Sequence, residues 1–219
     1  MNAELLGALN DADRRLVVAK MTRRTFRKGD TIFFEGDPGD SLMIVQKGRV
    51  AVRVSTPDGD VATLVVLGAG SCFGEQALVD AAAVRTASVV ALEAVEVRAL
   101  DRHDFDDLRS RHPAVERFLI GLLASQVRRL SGQVLDALYV SADKRVIRRT
   151  TDLARVYATD AVHDRIDIPM RQEDIASMAG TTRPTANRVL KQLEEEGVLT
   201  LARGRTVITD LAELERRAR

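Results

Sequence analysis

Tryptophan is missing from this chain, aromatic residues make up only 4% of it, and it has a single cysteine. One thiol excludes an intrachain disulfide, and three scattered histidines make no metal-ligating pattern, so neither a metal nor an iron–sulfur cluster is expected. Cys72, among apolar neighbours, is read as a small buried residue. The first residues lack the basic-then-apolar pattern of a secretory leader, and no apolar run approaches the length of a membrane span. A cytoplasmic protein with no membrane partner is expected. An excess of one charge is also lacking: 33 basic residues stand against 32 acidic ones, a net charge of +1. Any nucleic-acid affinity must therefore come from a local basic face. No nucleophile–base constellation or kinase motif occurs, so no enzyme is expected. What is present, in 219 residues with 45% hydrophobic and 30% charged side chains, suits two modest globular domains.

The most informative stretch runs from Cys72 to Ala87. It places Gly74-Glu75 and Arg85-Thr86 at the two ends of a segment rich in small residues. A buried carboxylate and a buried guanidinium are costly unless paired with each other or engaged by a ligand. A sugar-phosphate would satisfy both. Backbone N–H groups around Gly74, Gln76 and Ala77 would form a concavity for an anion. Arg85 would fork onto phosphate oxygens, Thr86 would donate a further bond, and Glu75 would accept from a ribose hydroxyl.

Before and around this stretch the chain reads as β-structure. Short runs of β-favouring residues, Leu42 to Val45, Val50 to Val54, Ala62 to Leu67 and Ala87 to Leu100, alternate with turn signals, among them the hairpin pair Asp58-Gly59. Strands of this length and spacing predict a sandwich or barrel. Ahead of them, Leu5, Leu6 and Leu9, then Leu16, Val17 and Met21, recur at near-helical spacing.

From about Pro113 to Val140 the pattern is one long helix. Ile120, Val127 and Val134 fall seven apart, and Leu123, Leu130 and Ala137 form a second series offset by three. β-Branched residues at one position and mostly leucine at the other favour a parallel two-stranded coiled coil, so a homodimer through residues 113–140 is expected. Phe118, Leu119 and Leu122 make a different stripe, left to pack back on the β-domain. Ser141 is a candidate N-cap for a further helix carrying Val146, Ile147, Thr150, Leu153 and Tyr157.

Gln172 to Gly180 followed by Thr181 to Leu193 has helix-turn-helix form. Ala176 permits close approach, Gly180 makes the turn, and Thr182 caps a second helix that tolerates Pro184 in its first turn. The outward residues Arg183, Thr185, Asn187, Arg188 and Lys191, with no acid between Thr181 and Gln192, suit the major groove of double-stranded DNA, and Arg171 and Thr182 join them as candidate contacts. Gly197 to Ile208 reads as a hairpin whose tip carries Arg203 and Arg205 over backbone phosphates. A charged terminal helix follows from Asp210.

Phe73-Gly74-Glu75-Gln76-Ala77-Leu78, with Arg85-Thr86-Ala87 beginning ten residues after the Glu, resembles the phosphate-binding cassette of cyclic-nucleotide-binding domains. The C-terminal third resembles the winged helix of the CRP/FNR superfamily of bacterial transcription regulators. The resemblance implies an α+β architecture: a jelly-roll-like barrel sensor domain over 1–112, a dimerisation helix over 113–140, and a winged helix-turn-helix over 141–219. It places glycines such as Gly36, Gly48, Gly68 and Gly74 at barrel corners and makes the junction near residue 141 a hinge. It further implies a homodimer on a palindromic operator, controlled by cyclic AMP or alternatively cyclic GMP, and in contact with RNA polymerase. Another effector, or action without ligand, stays open.

Two departures stand out against that family. Relatives that bind cyclic AMP present two adjacent polar residues of the long helix to adenine, one from each protomer. The matching positions here are Leu130 and Ser131, and Leu130 has no polar atom to offer. Thr86 after the arginine would also suit a guanine nucleotide. In the reading helix, Arg183 and Arg188 keep the family's two arginines, but Pro184 replaces its glutamate. A half-site related to, and different from, the usual TGTGA is implied.

Overall fold

The computed structural model describes residues 9–56, 59–80, 82–158 and 165–219. Contacts divide the chain into two compact units, residues 1–55 with 67–130, and residues 56–66 with 131–219. Among the described residues no helix is long and apolar enough to cross a membrane.

The first unit begins with helix α1 (Asp11–Lys20), whose N-cap Asn10 accepts from the Asp13 amide. Leu5 and Leu6 of the expected helical start lie outside the described residues. The strands up to residue 101 are β1 (Thr22–Phe26), β2 (Thr31–Phe33), β3 (Ser41–Lys47), β4 (Val50–Ser55), β5 (Val61–Leu67), β6 (Cys72–Phe73), β7 (Ser88–Ala91) and β8 (Val95–Asp101), the residues of β5 before Leu67 being grouped with the second unit. They form two four-stranded sheets, in the orders β1-β8-β3-β6 and β2-β7-β4-β5. The strand spacing predicts a sandwich or barrel, and the two sheets are consistent with the jelly-roll-like fold without closing into a barrel.

The single run expected from Ala87 to Leu100 is likewise two strands, one in each sheet, since β7 pairs with β4 while β8 pairs with β3. Between sheets lies one apolar cluster that includes Met43, Val45, Val50, Val89, Val97 and Phe73. The turn after β5 begins at Gly68, whose carbonyl accepts from the Ser71 amide at 3.0 Å, and its left-handed residue is Gly70, with φ 89°. Asp58 of the expected hairpin pair lies outside the described residues.

Helices α2 (Arg102–Arg111) and α3 (Pro113–Tyr139) follow. Phe118, Leu119 and Leu122 of α3 bury themselves in a second cluster with Leu42, Leu100 and Phe105, as the stripe predicts. Ile120, Val127, Leu130 and Val134 are left largely exposed, at 60%, 62%, 47% and 58%. Leu123, assigned by spacing to that exposed seam, is instead partly buried against the inner cluster. Leu135, Leu138 and Tyr139 also lie exposed.

The second unit takes up helix α4 (Ala142–Tyr157), with Ser141 accepting from the Lys144 amide as its N-cap. Then come β9 (Ile166–Ile168), α5 (Gln172–Met178), α6 (Arg183–Glu195), β10 (Leu199–Ala202), β11 (Arg205–Ile208) and α7 (Leu211–Ala218). The hairpin β10–β11 is joined by β9 in a three-stranded sheet ordered β10-β11-β9. No strand is expected at β9 from sequence, because three residues cannot establish an alternating pattern. Ala186, Val189, Leu190 and Leu193 are the buried face of α6, as their spacing predicts.

Candidate ligand pocket and nucleic-acid interface

The cassette is assembled from three pieces of chain far apart in sequence. Gly74 holds φ 77° and leads from β6 into a short 3-10 helix, Glu75–Leu78. A Cβ added at Gly74 would stand 2.5 Å from Arg85 Nη1 and 2.9 Å from the Ser41 carbonyl oxygen. Glycine is required twice over here, by the left-handed backbone and by the space. Opposite, the loop after β2 zips onto the segment before β7. The Gly36 amide donates to the Arg85 carbonyl at 2.8 Å, the Arg85 amide to the Asp37 carbonyl at 2.8 Å, and the Gly39 amide to the Ala83 carbonyl at 2.8 Å.

That zipper delivers the Arg85 side chain into the interior, where it is 5% exposed, beside Glu75 at 4%. Its Nη1 donates to the Ser41 carbonyl at 2.8 Å and the Gly74 carbonyl at 3.3 Å. Nη2 donates to Asp40 Oδ1 at 2.8 Å and Ser41 Oγ at 3.3 Å. The guanidinium carbon sits 4.2 Å from the centroid of the Phe33 ring. Burial draws this guanidinium below its ordinary pKa, and the neighbouring carboxylates of Asp40, Asp37 and Glu75 oppose that. A guanidinium remains charged under any such shift.

Two features are left over. Arg85 Nε is buried and has no hydrogen-bond partner. Among the described residues no ion pair joins Glu75 to Arg85, whose charge partner is Asp40. A buried donor without an acceptor and a buried carboxylate without a bridge are both unfavourable, and an anion with a neighbouring hydroxyl would relieve both. The residues present therefore fit a sugar-phosphate.

Around them, Ala77 and Leu78 are buried while Gln76 and Thr86 are exposed. The Ala77 amide is taken by the Gly74 carbonyl at 3.2 Å, so the turn uses that N–H itself. Leu130 and Ser131 stand on α3, and among the described residues no hydrogen bond joins either to the cassette. Asp40, Ser41 and Phe33 carry no motif, and their part in holding Arg85 appears only in the fold. Cys72, next to the turn, is half-buried where a fully buried residue is expected, and its thiol is pushed up to about 12, first by desolvation and then by the Glu75 charge.

In the second unit, Thr182 caps α6 by accepting from the Thr185 amide at 3.5 Å, and the two hydroxyls lie 3.0 Å apart. Arg183, Arg188 and Lys191 are exposed along the helix; Thr185 and Asn187 are half-buried. Among the described residues Arg183, Lys191 and Arg203 make no ion pair. Arg188 differs, since its Nη2 meets Asp143 Oδ1 of α4 at 2.5 Å. Arg205 likewise pairs with Asp167 of β9 at 3.1 Å, whereas Arg203 at the hairpin tip has no ion-pair partner among the described residues. Arg171, exposed ahead of α5, donates its amide to Asp174 Oδ2 at 3.3 Å. The face is locally basic although the chain is nearly neutral.

Comparison with known proteins matches each of the two regions to a domain family. The cyclic nucleotide-binding domain family matches residues 23–112, and the Crp-like helix-turn-helix domain family matches residues 144–217. The CRP-like cAMP-activated global transcriptional regulator of Mycobacterium tuberculosis is 30% identical over 89% of this chain and 87% of its own length. The cyclic AMP receptor protein of Thermus thermophilus is 34% identical over 91% of this chain and 89% of its own length. FixK2 from Bradyrhizobium japonicum, at 22% identity, shares the fold with a TM-score of 0.76 over 91% of this chain and 98% of that one. With both domain families matched and relatives of 30% and 34% identity covering most of either chain, the chain belongs to the CRP/FNR family of DNA-binding transcription regulators.

Proposed function

We propose that the chain acts as a homodimer whose affinity for a palindromic operator is raised by a cyclic nucleotide, cyclic AMP in the first place. The observation that carries this reading is the buried, unpartnered Nε of Arg85 beside a buried Glu75 to which it is not bridged. Arg85 would hold the cyclic phosphate and Glu75 a ribose hydroxyl, with Gly74 keeping the backbone clear of both. The names of the Mycobacterium and Thermus relatives, both cyclic-AMP proteins, support the same nucleotide.

The exposed stripe of Ile120, Val127 and Val134 supports pairing of α3 with a second copy, since a monomer would leave it in water. The paired helices would bring Leu130 and Ser131, one from each protomer, toward the nucleotide base. Binding would favour DNA recognition by being tighter in the DNA-competent arrangement. Arg183 and Arg188 would read guanines, and Thr182, Thr185, Asn187, Lys191, Arg171, Arg203 and Arg205 would add base-edge or phosphate contacts. Pro184, exposed in the first turn of α6, has no carboxylate to accept from cytosine, so the preferred half-site departs from TGTGA at that base pair. Contact with RNA polymerase in the cytoplasm completes this reading.

Isothermal titration with cyclic AMP and cyclic GMP, paired with gel shifts in each, tests the proposal. Saturable binding of one nucleotide, together with tighter operator binding in its presence, is expected. A second reading keeps the DNA function and drops cyclic AMP, in favour of cyclic GMP, another effector or none. The half-exposed apolar Leu130, where a polar contact to adenine is expected, favours it. Unchanged operator binding at saturating cyclic AMP would select that reading.

A further inference from the structure

The first turn of α4 carries an arginine that the DNA and ligand sites do not use. Arg145 spreads its guanidinium over three backbone carbonyls: Nε donates to Ala179 at 2.8 Å, Nη1 to Val140 at 2.8 Å and Nη2 to Gly180 at 3.0 Å. These acceptors belong to two different helix ends. Val140 directly follows the last residue of α3, and its amide donates back to the Asp136 carbonyl at 3.0 Å. Ala179 is the C-cap of α5, and Gly180, with φ 56°, is the turn into α6.

The last carbonyls of a helix lack intrahelical partners and form the negative end of its dipole. Two such ends brought together would repel and leave acceptors unsatisfied. A cation between them removes both penalties, and three diverging bonds from one planar group need arginine; a lysine ammonium carries its donors on one atom. Two residues earlier, Asp143 pairs with Arg188 of α6. The first turn of α4 is thus tied to the end of α3, to the helix-turn-helix turn, and to the reading helix.

We propose that Arg145 is a positioning residue for DNA recognition: its three-carbonyl bridge fixes the reading helix to the end of the pairing helix and so sets the operator half-site spacing that the dimer accepts. The inference rests on the palindromic dimer proposed above. In a two-fold dimer the two reading helices must match half-sites one helical turn apart, and each added base pair moves a half-site by about 3.4 Å and about 35° around the duplex. A loosened bridge lets the reading head follow that displacement; an intact one does not. Discrimination between spacers is therefore the property that Arg145 controls, while the chemistry of each half-site contact is untouched.

The test starts from an operator selected with the full-length native protein from random duplex DNA, under whichever nucleotide condition gives binding. Affinities of the native chain, Arg145→Lys and Arg145→Gln are then measured by fluorescence anisotropy on four duplexes. These are the selected operator, the same operator with its spacer lengthened or shortened by one base pair, and a single half-site. Native protein is expected to prefer the selected spacer by about tenfold or more, the scale of one or two charge-assisted hydrogen bonds. Both variants are expected to lose most of that preference while binding the single half-site within about twofold of native, since no base contact has changed. A variant that melts early but keeps native spacer preference overturns the inference and leaves Arg145 a stabilising residue. Unaltered spacer preference in both variants overturns it equally. Failure of the native protein to select any two-fold operator would refute the dimeric DNA reading itself, a result distinct from either.

Discussion

Replacing Gly74 with alanine separates what the cassette needs from what any tight turn needs. An alanine at φ 77° pays the left-handed penalty of roughly 1–2 kcal/mol. Its Cβ would also stand 2.5 Å from Arg85 Nη1 and 2.9 Å from the Ser41 carbonyl oxygen. Ser41 lies in β3 and cannot retreat without breaking the sheet, so Arg85 must move. That sacrifices its 2.8 Å bond to Ser41, a charge-assisted bond worth about 1.5–3 kcal/mol. The sum, about 2.5–5 kcal/mol, corresponds to a loss of about two to four orders of magnitude in nucleotide affinity if it falls on the site.

Gly29→Ala is the control. Gly29 has φ 89° with nothing within 4 Å of an added Cβ, so it carries the backbone penalty without the collision. Titration calorimetry on the three proteins is expected to show near-native affinity for Gly29→Ala and collapse for Gly74→Ala, with thermal unfolding recorded alongside. Equal losses in both variants, or native affinity in Gly74→Ala, would refute the placement of the ligand against Arg85. If the native chain binds neither cyclic nucleotide, the larger fall in unfolding temperature for Gly74→Ala still reads out the collision.

Other outcomes test the remaining elements. Val127→Asp puts a charge into the exposed α3 stripe and should raise the dimer dissociation constant by about two orders of magnitude or more, read by light scattering or sedimentation; an unchanged mass would remove α3 as the pairing surface. Arg183→Ala should cost about 1–3 kcal/mol and relax preference at one base pair, whereas Arg203→Ala should weaken all sequences alike and lower the salt slope by about one; the reverse pattern would exchange their roles. Cys72, its thiol pushed up to about 12, should alkylate at pH 8 about three orders of magnitude more slowly than a free cysteine. The same shift has a sign for stability. The unfolded thiol ionises near 8.5 and the folded one near 12, so its contribution is complete below about pH 8.5 and is lost as pH rises toward 12. Rapid alkylation in the folded protein would contradict the burial.

Residue identity alone determines some elements of this protein and leaves others to the fold. The reading helix could be placed from its string because everything that defines it is local: the Thr182 cap, Pro184 in the first turn, and apolar residues at helical spacing through Leu193. Gly74-Glu75 and Arg85-Thr86 marked the cassette for a similar reason, since chemistry so costly to bury needs a purpose. The second stripe of α3, Phe118, Leu119 and Leu122, was equally readable, because periodicity reports which face is apolar.

Periodicity does not report what covers a face, and that is where the string ran out. Leu123 shares its spacing with the exposed seam yet packs inward, partly buried against the cluster that holds Phe118, Leu119 and Leu122. Arg85 turned out to be held by Asp40 and Ser41, 45 and 44 residues away, and not by Glu75. No spacing rule links those positions; the antiparallel zipper of residues 36–39 on 83–85 does. Arg145 is the extreme case, bonded to carbonyls 5, 34 and 35 residues distant. Backbone acceptors leave no trace in residue identity, so a side chain that recognises them looks like any other surface arginine until the chain has folded around it.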